Sequence, residues 1–137
     1  MNRLLKNVLA VILGLLFGSI INMMLVKLGS AVLPVPGVHP NDMEALKKIL
    51  PTLAMKYFLF PFMAHALGTL FGAYLAYKIA ADNKMNFAMV IGAFFLFGGI
   101  TMIFMLPTPL WFTLCDLILA YLPMAWLGAM LAKGTSK

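Results

Sequence analysis

Four long apolar runs dominate the chain. Residues 4–28 carry Asn22 and Lys27 inside an otherwise apolar stretch, 57–79 carry His65, 87–106 carry no charge, and 110–131 carry Asp116. A helix needs about 20 residues to cross ~30 Å of hydrocarbon, and each run has that length. The alternation expected of membrane strands is absent. Backbone polar groups in lipid must pair within their own segment, so the runs predict helices. The expected fold is all-α: an integral membrane four-helix bundle, one domain over 1–137.

Only the first connection, residues 29–56, is long. Pro34, Pro36, Gly37 and Pro40 disfavour regular structure at its start. Asn41-Asp42-Met43-Glu44 then reads as a capping box, with Asn41 as N-cap and Glu44 at the third helical position. Met43, Leu46, Ile49, Leu50 and Leu53 follow at helical spacing, with Lys47 and Lys48 on the other face. The pattern predicts a short amphipathic interfacial helix over about 41–50, with Pro51 either ending it or starting a long second helix. It serves as a connector or as a lid.

Composition agrees with this reading. Hydrophobic residues make up 64% of the 137 positions and charged residues 10%, against roughly 45–50% and 25% in soluble domains. The lone Cys115 excludes an internal disulfide. The formal charge of +6 comes from basic residues placed singly at the ends of the apolar runs rather than in a stripe interleaved with aromatics. It therefore points to a lipid bilayer and not to nucleic acid. Arg3, Lys6, Lys78, Lys84, Lys133 and Lys137 fall on the side of the termini, and Lys27, Lys47, Lys48 and Lys56 on the other. Six against four predicts both termini in the cytoplasm. The run from Val8 to Val26 exceeds the roughly 7–15 residues of a signal-peptide core, so a retained first helix is expected.

Small residues mark contact faces. Ala64, Gly68, Gly72 and Ala76 recur every fourth position in the second run, and Gly14, Gly18 and Asn22 do so in the first. Such stripes let membrane helices approach closely. Leu16–Ile20 echoes Leu96–Ile100, and Gly72–Ala76 echoes Gly128–Ala132, as a duplicated parallel hairpin would. Pro61 and Pro123 are expected to interrupt or kink their helices.

Polar side chains at membrane depth are few. Asn22, His65, Thr101 and Asp116 come one from each run and fall within about one helical turn of each other in depth. A lone carboxylate at that depth costs at least ~2.5–3.5 kcal/mol, so Asp116 requires a partner. His65 is the intramembrane candidate, and Lys27 the alternative from the helix end. The four residues form the candidate binding site, for a small ion or a lipophilic ligand. The competing reading is a polar clasp that fixes helix packing.

No cofactor, metal or catalytic residues are assigned, and no enzyme motif is present. The two histidines, His39 and His65, do not supply a haem or zinc ligand set, although His39, Asp42 and Glu44 lie close together in the first loop. In size and span number the chain is similar to small multidrug transporters, but it lacks their first-helix glutamate. It is likewise similar in size to the trimeric membrane enzymes of glutathione metabolism, but lacks their arginine-rich motif. Neither resemblance carries a residue over. The functional expectation is a small transporter or channel, a homo-oligomer because four helices leave little room for a pore. The alternative is a non-transporting membrane protein that binds lipid or packs against partner proteins.

Overall fold

The computed structural model describes residues 1–136. Every regular element among them is helical, and none is a strand. The helices are α1 (Arg3–Val32), α2 (Met43–Ile49), α3 (Leu59–Ile79), α4 (Lys84–Met105), α5 (Leu110–Leu119) and α6 (Leu122–Gly134). Four stretches are long and apolar enough to cross a membrane: Arg3–Val32, Met55–Ile79, Lys84–Met105 and Leu110–Gly134.

Local chemistry sets the boundaries. The Asn2 side chain accepts the Leu4 N–H at 3.0 Å and opens α1. At the other end of α1, Leu33 precedes Pro34 and is turned out of the helical region (φ −129°, ψ 68°), so α1 runs about one turn past the expected Leu28. Leu106 before Pro107 ends α4 in the same way. The cap of α2 is Asp42, not Asn41. Asp42 Oδ1 accepts the Ala45 N–H at 3.0 Å, while the Asn41 N–H donates to His39 Nδ1 at 3.2 Å. The expected capping box is therefore displaced by one residue, which leaves Glu44 out of it.

Of the two prolines, Pro123 marks an interruption as expected and Pro61 does not. Pro61 sits in the first turn of α3, where N–H groups have no intrahelical acceptor, and it interrupts nothing. Pro123 occupies the first turn of α6 for the same reason, and the fourth run breaks before it, at Ala120–Tyr121. Tyr121 (φ −114°, ψ −83°) leaves the helical path, so α5 and α6 are two helices rather than one kinked helix.

Packing centres on α3, which touches α1, α4 and α6. The α1–α3 crossing is built from glycine. A Cβ on Gly14 would lie 2.8 Å from the Gly72 carbonyl oxygen, and one on Gly72 would lie 2.7 Å from that of Gly14; Gly18 and Gly68 face each other likewise. A buried, alanine-rich core, with Ala10, Ala73, Ala76, Ala88, Ile91, Ala125 and Ala129, fills the half of the bundle nearer the termini. At that end Asn7 ties α1 to the α3–α4 turn, donating to Asp82 Oδ1 at 2.8 Å and accepting the Ala81 N–H at 2.9 Å. Large apolar side chains cover the outside, among them Ile12, Leu16 and Ile20 on α1, Phe97 and Phe104 on α4, and Ile118 on α5.

The internal sequence echo does not extend to contacts. Gly18 packs against Gly68, whereas Gly98, its counterpart, has no neighbour within 4 Å. Gly128 presses on the Leu70 carbonyl of α3, not on α4 as a duplicated hairpin would require.

Candidate ligand site

His65 lies two turns into α3, and Asp116 two turns into α5, measured from the end that carries the long loop. Equal depth brings them together. His65 Nδ1 lies 2.8 Å from Asp116 Oδ1 and 3.0 Å from Oδ2. Tyr121 donates its hydroxyl to Oδ2 at 2.9 Å. The Tyr121 ring also stacks on the imidazole, with centroids 5.8 Å apart and planes inclined by 26°. Asp116 is buried, at 6% exposure. With the carboxylate ionised, two donors hold it, His65 Nδ1–H and the Tyr121 hydroxyl. They supply the partners that a carboxylate removed from water requires.

The helix break creates this arrangement. In a regular helix, positions five apart are about 140° apart around the axis, so Tyr121 would point away from Asp116. The excursion at Ala120–Tyr121 swings the ring back over the carboxylate. Gly99 on α4 leaves the space it needs, because a Cβ there would overlap the Tyr121 hydroxyl. Deeper on α3, the buried Thr69 hydroxyl donates to the His65 carbonyl at 2.8 Å.

His65 and Asp116 form one end of a cavity of about 290 Å³. Phe58, Phe60 and Phe112 stand on its α3 and α5 sides, and Gly99, Met102, Ile103 and Leu106 on its α4 side. Val26, Gly29 and Ser30 of α1 close another side, and Leu46, Leu50 and Leu53 of the long loop form the roof. The apolar face of α2 and the turn after it thus cover the cavity, while Lys47 and Lys48 are exposed. Of the side chains lining the cavity, only His65 and Asp116 are ionisable below neutral pH, and none is Lys or Arg.

The other two expected site residues do not join. Asn22 is half-buried at the α1–α3 crossing, beside Gly68, and lines no part of the cavity. Thr101 is exposed and donates to the Phe97 carbonyl of its own helix at 2.9 Å. Depth matched in both cases, but rotation about the helix axis did not. On α4 the cavity face is Gly99, Met102, Ile103 and Leu106, and Thr101 falls outside that stripe. Lys27, the alternative partner for Asp116, is exposed beside Met24, Leu28 and Phe71, away from the carboxylate. Tyr121 was missed by sequence reasoning; the signal was Pro123 two residues later, which places a helix start immediately after Tyr121.

Among the described residues, no three His, Cys, Asp or Glu side chains gather as a metal ion would require. Two lining polar groups have no protein partner among the described residues, His65 Nε2 at the polar end and the Tyr57 hydroxyl toward the loop. An imidazole held through Nδ1 by a carboxylate presents Nε2 in a fixed direction and tautomer. No protein-family model, curated protein or solved structure matches the chain.

Proposed function

We propose that this chain is an integral membrane protein that holds a small lipophilic molecule beneath its first loop, with His65 as the polar contact. The observation that carries the reading is the cavity itself, mostly apolar around its sides and roof and ending on the His65–Asp116 pair. Small-molecule sites have this build: mostly apolar surface, a few convergent polar groups, and a volume near the lower end of roughly 300–1,000 Å³. Exposed Leu, Ile, Met and Phe on the four long helices support burial in a bilayer. The basic-residue count supports cytoplasmic termini, which places the cavity in the outer half with α2 at the outer interface.

Transport is the second reading, favoured by an ionisable pair at membrane depth. Binding from one side has more support within a single chain. The alanine core fills the half nearer the termini, so the cavity is closed at its inner end. A homo-oligomer would be needed to build a path around it.

The test is native mass spectrometry of the full chain extracted from its own membranes. Wild type should retain a non-covalent small-molecule adduct. Leu50→Trp, which fills the cavity from its roof, should lose the adduct while remaining folded. Equal adducts on both proteins, or none on wild type, would overturn the reading.

A further inference from the structure

Resting on that ligand-site reading, we infer that the cavity takes an uncharged lipid alcohol or phenol, admitted sideways from the bilayer between α1 and α4. The chemistry of the head follows from which polar atoms are free. Both Asp116 oxygens are engaged, by His65 Nδ1 and the Tyr121 hydroxyl. The carboxylate thus stands behind two side chains and is 6% exposed. His65 is more open, with a side-chain exposure of 25%. A neutral imidazole that donates through Nδ1 accepts at Nε2, and its complement is a hydroxyl donor. An anionic head such as a phosphate or fatty carboxylate would find no Lys or Arg in the lining and an ionised carboxylate nearby. It would enter without a compensating cation. A cationic head would need Asp116 as its counter-ion, and that carboxylate is buried behind His65 and Tyr121.

The route follows from the sides of the cavity. The α3 and α5 side is sealed: Phe58 is 3% exposed and Phe112 6%. Across from it, Val26 of α1 is 37% exposed and Met102 of α4 42%, and both line the cavity. Nearer the termini the same two helices lie close, with Gly14 against Ile91 and Gly18 against Phe95. Toward the loop end they face each other across the cavity instead. The gap between them is edged by the two exposed apolar side chains, Val26 and Met102. A tail leaving through it would lie among lipid chains while the head stays on His65.

Three probes with one tail test this on the full chain in phosphatidylcholine nanodiscs: farnesol, farnesylamine and farnesoic acid. Tritiated farnesol should bind saturably, and the amine and the acid should compete at least tenfold more weakly. His65→Asn keeps a donor toward Asp116 but has no atom at the Nε2 position. It should weaken farnesol about tenfold, the worth of one hydrogen bond. Val26→Trp combined with Met102→Trp leaves the polar pair untouched and should slow farnesol uptake at least tenfold. Stronger binding of the amine or the acid would overturn the ligand class and leave the cavity reading standing. Unaltered uptake in the double tryptophan variant would overturn the route. If none of the three binds, this inference fails, and the adduct experiment on Leu50→Trp decides separately whether the cavity reading fails with it.

Discussion

Replacing Gly72 with alanine adds one methyl group at the close α1–α3 crossing. Its carbon would start 2.7 Å from the Gly14 carbonyl oxygen and 3.2 Å from Ile91 Cγ2. Ordinary contact begins near 3.4 Å, and the obstructing atom is backbone, which has no rotamer to change. The α1 and α3 axes must therefore separate by several tenths of an ångström along a crossing that also includes Gly18 and Gly68. A gap of ~0.5–1 Å forfeits a quarter to a half of the dispersion energy of each affected contact. Overpacking of this kind costs about 1–3 kcal/mol. Alanine also improves helix propensity by ~1 kcal/mol, which offsets part of the loss. The net expectation is a destabilisation of up to about 2 kcal/mol, a few degrees in melting temperature. Gly98 is the internal control. Nothing lies within 4 Å of a Cβ placed there, so Gly98→Ala should be neutral or stabilising. Tryptophan-fluorescence melts in dodecyl maltoside read both variants, through Trp111 and Trp126. If Gly72→Ala melts at or above wild type, as Gly98→Ala does, the glycine crossing does not carry the packing assigned to it.

Other expectations concern the site, the far end and the orientation. Tyr121→Phe removes one donor from Asp116 while keeping the stacked ring, and should lower stability by about 0.6 kcal/mol and at most ~1.7, as interhelical bonds in membranes do; a loss above ~3 kcal/mol in chemical denaturation would mean that the hydroxyl holds the helix break itself. Asn7→Leu removes both bonds to the α3–α4 turn and should speed amide hydrogen exchange at Ala81 and Asp82, with no change at His65; equal protection in both proteins would refute the tie. In a Cys115→Ser background, a cysteine at Lys137 should resist impermeant maleimide applied to intact cells, and a cysteine at Lys48 should react; the reverse pattern would invert the topology.

The long helices were legible because apolar length and proline positions are local properties of the chain. The α1–α3 contact was legible too, since Gly14, Gly18, Gly68 and Gly72 repeat every fourth residue. The His65–Asp116 pair followed from equal depth and from the need of a carboxylate for a partner. Depth fixes only one of two coordinates, however. Rotation about the axis sends Thr101 outward and leaves Asn22 in the glycine crossing. Tyr121 was hidden because its partnership with Asp116 exists only once the helix breaks, and the break belongs to tertiary structure as much as to Pro123. Asn7 lay unnoticed beside Lys6 because its acceptor and donor, Asp82 and Ala81, are far away in sequence. The roof of the cavity was half legible: the helical spacing of Leu46, Leu50 and Leu53 defined an apolar face, but not what that face would cover.

The proposed ligand site requires that His65 is fixed by Asp116 on one nitrogen and meets a ligand with the other. Nitrogen-15 solid-state NMR of a His39→Gln protein reads those two atoms alone, because His65 is then the sole histidine. Spectra would be compared in liposomes of the protein's own membrane lipids and of synthetic phosphatidylcholine. Such a site gives an Nδ1 resonance of a proton-bearing, hydrogen-bonded nitrogen in both, and an Nε2 resonance that shifts only in the native lipids. Identical Nε2 resonances in the two preparations, or an Nδ1 without its proton, would contradict it.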